Sequence, residues 1–520
     1  MDIVDILVIG GGINGAGIAR DAAGRGLSTI LCERDDLAQG TSSRSGKLIH
    51  GGLRYLEYCE FRLVREALVE REVLLRAAPH IIWPMRFVLP HSPEQRPAWL
   101  VRLGLFLYDH LGGRRKLAST RAIDLRREAE GRPIRDDYRK AFEYSDCWVD
   151  DARLVVLNAL DAQQRGAEIL TRTAAISARR EGAHWRVLLD DRRHHGQRVV
   201  LARCVVNATG PWVEDVLTGV DGARSDRRVR LVKGSHLVTR KFWDGEQAYL
   251  LQNSDKRVIF VNPYEGDLAL IGTTDIPVDG KPEDAAIDDG EITYLLDVVA
   301  RYFRDPPTRG DLVHTFSGVR PLYDDKAQNP SAVTRDYIFD IDPRSAQPGV
   351  APVLSIFGGK ITTYRKLAEH ALEKLKFSFP NMGAAWTATQ PLPGGDIPEA
   401  AFEPWFAEFK SRRPWLPKDL AYHYARLYGT RADALLGGAA AMSDLGRHFG
   451  ARLYEREALY LRQTEWADTA DDILERRTKH GLHLNAEERA SFATWLVGIT
   501  DADIQSGSAV SRSPAAGGAR

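Results

Sequence analysis

The sequence predicts an α/β fold: a mostly parallel sheet flanked by helices, interleaved with an antiparallel-sheet domain and followed by a separate all-helical domain. Three observations predict it. An apolar run, Asp5 to Ile9, leads through a glycine-rich turn into a helical stretch. Short runs that alternate apolar and polar residues (SHLVT, KRVIFVNPY, LALIGTTD) fill Arg230 to Thr274, as antiparallel strands do. A proline- and glycine-rich linker, QPLPGGDIPE at Gln390 to Glu399, is followed by helical patterns through Leu420 to Leu436 and Tyr454 to Arg477.

The first unit reads as strand Asp5–Ile9, turn Gly10-x-Gly12-x-x-Gly15 and helix Ala16–Gly24. That order suits a dinucleotide. The glycines permit a tight turn and let backbone approach a pyrophosphate, and the helix N-terminus supplies N–H groups and partial positive charge. A second apolar run, Leu27 to Cys32, ends at Glu33, eighteen residues beyond Gly15, where a carboxylate accepts hydrogen bonds from a ribose 2′-OH. With strand, helix, second strand and acid in register, the segment is expected to be Rossmann-like rather than an ordinary glycine loop.

At 520 residues, 27% charged and 44% hydrophobic, the chain is long enough for two or three domains and a sizeable core. Its 71 basic and 71 acidic residues balance, which excludes a general nucleic-acid binder. Cys32, Cys59, Cys147 and Cys204 fit no zinc pattern and are too few for a disulfide scaffold, so a reducing cytosol is the simplest compartment. The N-terminus enters the first strand with no charged leader and apolar h-region, and no run is long enough to span a bilayer.

Gln39 to Tyr55, QGTSSRSGKLIHGGLRY, reads as a loop entering a helix, rich in donors for phosphate or a cofactor ring. Phe61, Val64, Ala67, Leu68, Leu74 and Leu75 then recur at helical spacing among Arg and Glu, which predicts an amphipathic surface helix. Arg96 to Lys116 has a short apolar centre flanked by arginines, and two readings stand: an interfacial membrane segment, or a half-buried helix. Val199 to Val213 is a buried strand broken by Gly210-Pro211, where backbone lies close to a flat ligand. Val353 to Phe357 gives another strand, then Gly358-Gly359-Lys360 and a helix from about Thr362 to Leu375. A nicotinamide enzyme needs one glycine turn, whereas a flavin must have its pyrophosphate, its ring and its N1/C2=O edge all held. The second turn could supply the third contact, which favours FAD over NAD.

GGGINGAG, TSSRSGKLIHGGLRYLE, EYSDCWVDDARLV, VNATGPWV, KGSH, GTTD, SGVRPL, TRDY and FGGKITTYRKLAEHAL together resemble the aerobic, FAD-dependent glycerol-3-phosphate dehydrogenases of bacteria, from residue 2 to about residue 500 and including YHYARLYG and RRTKHG. The resemblance implies oxidation of sn-glycerol 3-phosphate to dihydroxyacetone phosphate, with electrons passing through non-covalently bound FAD to a membrane quinone. It also implies a homodimer bound peripherally at the cytoplasmic face of the inner membrane. The expected organisation is an oxidoreductase domain at 1–389, a helical domain at 390–503 and a disordered tail at 504–520; within the first, FAD-binding parts lie at about 1–75, 145–212 and 310–389 and substrate parts at about 76–144 and 213–309. Expected cofactor contacts are Gly10, Gly12, Ile13, Asn14, Gly15, Glu33, Arg34, Thr41, Ser42, Ser43, Lys47, Leu48, Ile49, His50, Gly210, Gly358, Gly359, Lys360, Ile361 and Thr362. Arg44 and Gly46 depart from the family's pattern, standing where alanine- or serine-like residues are expected.

A phosphate dianion beside a flavin needs fixed cations, preferably arginine forks. Arg54, Arg320 and Arg335 match the family's substrate-binding arginines, and Lys360 and Tyr55 sit where a further cation and hydroxyl help. Oxidising a secondary alcohol sends a hydride to the flavin and a proton to a base. His236 in KGSH is the preferred base, with His50 in LIHGG and Lys360 as alternatives. An oxidase that returns electrons to O₂, and a protein that holds FAD structurally, are the competing readings.

Overall fold

Four buried residues, Ile6 to Ile9, form the C-terminal part of β1 (Ile3–Ile9), and their side chains explain why this run is a strand: both faces are covered. The structure, a computed structural model, describes residues 3–499 apart from 59, 93, 114–116, 221–224, 254, 256, 325–335 and 343–348, and without the side chains of 54, 57 and 58. The expected tail at 504–520, Cys59 and Arg335 therefore lie outside the described residues, as does the side chain of Arg54. The chain divides into two units, residues 1–392 and 393–520.

With strands numbered in chain order, the first sheet of unit 1 contains β1, β2 (Thr29–Cys32), β7 (Glu168–Leu170), β8 (Thr173–Glu181), β9 (His184–Asp191), β10 (Gly196–Asn207), β17 (Tyr337–Ile341) and β18 (Val353–Gly358). Its order is β17-β18-β10-β1-β2-β7, and β18, β10, β1, β2 and β7 are mutually parallel. Helices α1 (Ile13–Gly24), α4 (Asp151–Gln164) and α7 (Tyr364–Lys374) cover it; Arg20 of α1 is pinned to Asp161 of α4 at 2.5 Å.

The second sheet contains β3 (Leu48–Ile49), β4 (Ile82–His91), β5 (Arg121–Asp124), β6 (Lys140–Val149), β11 (Val229–Arg240), β12 (Ala248–Gln252), β13 (Val258–Tyr264), β14 (Leu268–Gly272), β15 (Ile276–Pro277) and β16 (Leu312–Tyr323). It is antiparallel except where β12 meets β4, in the order β15-β11-β14-β13-β12-β4-β6-β3, with β16 on β11 and β5 on β6. The strands expected at 230–274 are present, but β3, β16 and part of β6, from stretches expected to bind cofactor, also join this sheet. Helix α6 (Asp289–Tyr302), started by an Asp288–Glu291 capping box, buries Leu295, Val298, Val299 and Tyr302 in the core of this region.

Two helices need correction or refinement. Helix α2 (Phe61–Ala77), expected on the surface, is buried along most of its length, Glu70 and Arg71 included. Its charges are neutralised by partners remote in sequence: Arg365 donates to both Glu70 oxygens at 2.5 and 2.7 Å, and Arg71 donates to Asp146 at 2.6 Å. Helix α3 (Ala98–Leu111) buries only Leu105 and Tyr108, while Trp99, Leu103 and Phe106 are 68%, 47% and 57% exposed. A short helix, α5 (Val213–Thr218), follows the Gly210-Pro211 break.

Unit 2 contains helices α8 (Phe402–Ser411), α9 (Lys418–Tyr428), α10 (Ala432–Leu436), α11 (Glu455–Thr464) and α12 (Ala486–Val497) around Phe409, Leu416, Tyr424, Leu461 and Phe492. It is not purely helical, since β19 (His448–Gly450) and β20 (Leu453–Tyr454) form a small hairpin. Among the described residues, no helix is long and apolar enough to cross a membrane.

Candidate active site

At the end of β1, Gly10 has φ +111°, and a Cβ there would lie 2.7 Å from the Ala208 carbonyl oxygen; a Cβ on Gly15 would lie 1.9 Å from the Gly10 oxygen. Only glycine fits either position. Glu33 reaches this turn, its carboxylate accepting the Gly11 N–H at 2.6 Å and the Asp35 N–H at 2.9 Å. Burial pushes its pKa up against those two hydrogen bonds. Arg34 stacks over Trp212 at 4.4 Å and pairs with Glu283 at 3.0 Å, walling the same end of the cavity.

The second glycine turn lies beside the first. Gly358 and Gly359 have φ +80° and +104°, and Asn14 of α1 donates to the Gly358 oxygen at 3.3 Å, 344 residues away in sequence. Neither α1 nor α7 carries an acidic residue in its first turn, so both N-termini keep their partial positive charge for an anion. The Asn14 Oδ1 is buried without a hydrogen-bond partner among the described residues. Thr362 bonds the His50 N–H at 3.3 Å, and the Lys360 ammonium sits 3.6 Å from the Tyr55 ring centre.

A floor with a pair of glycines at its centre is formed by β11 and β16. Register pairs His236 with Phe316, Gly234 with Gly318 and Val232 with Arg320, so these residues share one face of the ladder. The His236 ring stacks on Phe316 at 4.8 Å and covers Gly272, where any Cβ would strike it at 2.0 Å. Arg320 bends over Gly234, where a Cβ would lie 2.1 Å from its Nη2. The guanidinium is held there by Asp275 Oδ1 at 2.5 Å and the Thr274 oxygen at 2.6 Å. His236 is buried; burial first, then the charges of Arg320 and Lys47, push its pKa down to about 3, and its Nδ1 has no hydrogen-bond partner among the described residues.

One cavity of about 1530 Å³ joins both turns to this floor. It is lined by Gly10, Gly12, Ile13, Asn14, Glu33, Arg34, Thr41, Ser42, Leu48, His50, Tyr55, Gly210, His236, Arg320, Gly358, Gly359, Lys360, Ile361 and Thr362, and it extends to Leu100, Leu103 and Leu107 of α3. Gly15, Ser43, Lys47 and Ile49 do not line it. Lys47 instead bonds Asp151 at 2.8 Å and the Ser43 oxygen at 3.1 Å, holding its loop on α4; Ile49 is fully buried in β3.

Sequence reading missed Asp275 and a buried Tyr108–Asp146–Arg71 cluster that holds the Gly51 backbone. Tyr108 donates to Asp146 at 2.8 Å and accepts the Gly51 N–H at 2.7 Å, while Arg71 pairs with the same carboxylate. The motifs GTTD and EYSDCW carry the acidic partners, but only tertiary contact shows their role.

Unit 2 contains the one group of potential metal ligands found among the described residues, the buried His423, Glu457 and His480. Glu457 Oε1 is bonded by His423 Nε2 at 2.8 Å and by the Tyr428 hydroxyl at 2.8 Å, and Oε2 by His480 Nε2 at 3.2 Å. These hydrogen bonds already satisfy the carboxylate.

Two known families together cover most of the chain. The family described as FAD dependent oxidoreductase matches residues 5–350, and the C-terminal domain of alpha-glycerophosphate oxidase matches 385–495. The chain is 62% identical over 491 residues to D-erythritol 1-phosphate dehydrogenase of Brucella abortus, covering 94% of this chain and 97% of that one. It is 51% identical over 500 residues to the aerobic glycerol-3-phosphate dehydrogenase of Escherichia coli, covering 96% and 98%. Among solved structures, the glycerol-3-phosphate dehydrogenase from Bacillus halodurans complexed with FAD superposes with TM-score 0.76 at 26% identity, covering 97% of this chain and 93% of that one.

Proposed function

The chain belongs to the FAD-dependent oxidoreductases, among the relatives of the aerobic glycerol-3-phosphate dehydrogenases, and from that premise we propose that it oxidises the secondary alcohol of a short polyol phosphate, sn-glycerol 3-phosphate going to dihydroxyacetone phosphate, and delivers the electrons to a membrane quinone. The side-chain-free turns and the unpartnered Asn14 Oδ1 fit FAD, held non-covalently by the Gly10–Gly15 turn with Glu33 and by Gly358–Thr362. When bound, FAD takes up the hydride leaving the substrate carbon and later gives up both electrons.

The observation that carries the reading is the shared face of His236 and Arg320. Arg320 offers its fork to the phosphate, with Arg54, Arg335, Lys360 and Tyr55 as further anion-binding groups. Arg320 pairs with Val232, two strand-repeats from His236, but its guanidinium bends over Gly234, one repeat or about 7 Å along the strand from His236. Its pKa, pushed down to about 3, first by burial, keeps the imidazole uncharged at neutral pH but makes it a weak base in the empty site. A phosphate dianion on Arg320 offsets the cationic field that weakens this base. His50 and Lys360 are the alternative bases; the Lys360 contact with Tyr55 suits anion binding better.

The acceptor reading is supported by α3. Its apolar residues Trp99, Leu103 and Phe106 are exposed, arginines flank it, and the cavity reaches its Leu100, Leu103 and Leu107. Such a surface suits peripheral attachment at the cytoplasmic face and access for a lipid-soluble acceptor. Reduction of O₂, as in a glycerol-3-phosphate oxidase, is the competing fate. A second substrate reading, D-erythritol 1-phosphate, is favoured by the 62% identity to the Brucella abortus enzyme.

Purified protein should be mixed anaerobically with each phosphate while the flavin spectrum is followed, then offered a soluble quinone or air. Bleaching by phosphorylated polyols and reoxidation by quinone without peroxide agree with the proposal. A flavin left oxidised by both phosphates refutes it.

A further inference from the structure

We infer that Asn262 of β13 accepts a hydrogen bond from the free terminal hydroxyl of the polyol phosphate, and so selects substrates that carry a hydroxyl beyond the carbinol being oxidised; this rests on the polyol-phosphate reading of the site. Asn262 lines the cavity and is 1% exposed, and its Oδ1 is buried with no hydrogen-bond partner among the described residues. An amide oxygen left so is a cost to the fold that a donor from outside relieves. The sheet around it supplies none: its cross-strand row is Val238, Leu270 and Asn262, and Phe260 precedes it on the same face.

The strand register fixes where this oxygen stands. β11, β14 and β13 run side by side, and His236, Gly272 and Phe260 form one row across them. The Arg320 guanidinium lies over Gly234, one repeat before that row, and Asn262 belongs to the row one repeat after it. The His236 ring covers Gly272 and so reaches across β14 toward the strand that carries Asn262. Gly46 meets both residues: Asn262 Nδ2 donates to its oxygen at 3.5 Å, and a Cβ on it would lie 3.8 Å from His236 Nε2. The base and the amide therefore border the same stretch of cavity.

Phosphate on Arg320 and the reacting alcohol on His236 set the direction of the substrate. Its remaining carbon continues along the floor in the same sense, to the row of Asn262. An amide oxygen accepts and does not donate. A phosphate dianion has no hydrogen to offer, and the reacting hydroxyl gives its proton to His236. The donor left on sn-glycerol 3-phosphate is the hydroxyl of carbon 1, and bonding it to Asn262 holds the substrate at both ends with the carbinol between them.

The test compares kcat/KM for sn-glycerol 3-phosphate and for its 1-deoxy analogue, 2-hydroxypropyl phosphate of the same spatial configuration, in the FAD-loaded wild type, Asn262→Leu and Asn262→Ala, with flavin content measured in each. Wild type is expected to prefer glycerol 3-phosphate by about tenfold or more, since the analogue leaves the amide oxygen unpaired. In both variants the preference falls to roughly threefold or less, because glycerol 3-phosphate loses its partner while the analogue has none to lose. A wild type that uses both compounds equally well, a preference unchanged in the variants, or flavin lost from both variants overturns the inference and leaves the polyol-phosphate reading standing. A wild-type flavin that no polyol phosphate reduces overturns both.

Discussion

Arg320 and Asp275 form an ion pair at 2.5 Å, and the pair lies over Gly234 because no side chain there obstructs it. The carboxylate fixes the fork before any phosphate arrives, which limits the rotamer entropy lost on binding.

Replacing Arg320 by Ala should raise KM for the polyol phosphate about ten- to a hundredfold, as expected from losing roughly 1.5–3 kcal/mol of charge-assisted hydrogen bonding. Steady-state kinetics with flavin quantification check this. Near-normal KM would place the phosphate elsewhere.

His236→Asn keeps a polar group of similar reach but removes the base. The rate of flavin reduction at saturating substrate should fall by roughly 10²- to 10⁴-fold with little change in substrate affinity. Stopped-flow reduction measures it, and a fall of less than threefold would transfer the role to His50 or Lys360.

Acid precipitation should release the flavin into the supernatant, because non-covalent contacts at the two glycine turns are expected to hold it. Colour remaining in the pellet would show a covalent link.

Trp99→Ser, Leu103→Ser and Phe106→Ser combined should abolish co-sedimentation with anionic liposomes while sparing dye-linked activity. High salt should weaken wild-type binding, since the flanking arginines act through screened charges. Undiminished liposome binding by the variant would make α3 an ordinary surface helix.

The unit-2 cluster should make that unit acid-sensitive. An unfolded histidine titrates near 6.5, whereas burial and then His423 push His480 down to about 4. The unfolded chain therefore binds this proton more tightly, and the stability is present above about pH 6.5 and lost as pH falls toward 4. Burial opposes the charge on Glu457, but His423 and His480 outweigh it and hold the carboxyl below the usual range, so its contribution is also lost in acid. Urea midpoints at pH 7, 6 and 5 should fall, with at most about 1.4 kcal/mol per pH unit from each proton. His480→Gln retains a donor for Glu457 and should flatten that slope; an unchanged slope would remove His480 as its source.

Elements marked by local chemistry were readable from sequence. Gly10, Gly12 and Gly15 announce a turn that only glycine tolerates, and Gly358-Gly359 announces another. What was not readable depends on distant pairing. Nothing near Glu70 reveals Arg365, so α2 looked like a solvated helix. The sequence marks Lys47 as a cofactor contact but does not reveal its partner Asp151, which lies about a hundred residues on. Gly234 and Gly318 looked unremarkable until the register of β11 and β16 placed them side by side, with Arg44 above.

The central parallel sheet has a consequence for synthesis on the ribosome. β1 is emitted first, but its neighbour β10 arrives about 190 residues later and β18 about 150 residues after that. At roughly 5–20 residues per second, the apolar Ile6–Ile9 segment, joined early only by β2, waits on the order of 10 to 40 s for its second neighbour, β10. During that interval the nascent chain exposes one unpaired edge of a hydrophobic strand, which should make its yield sensitive to translation speed.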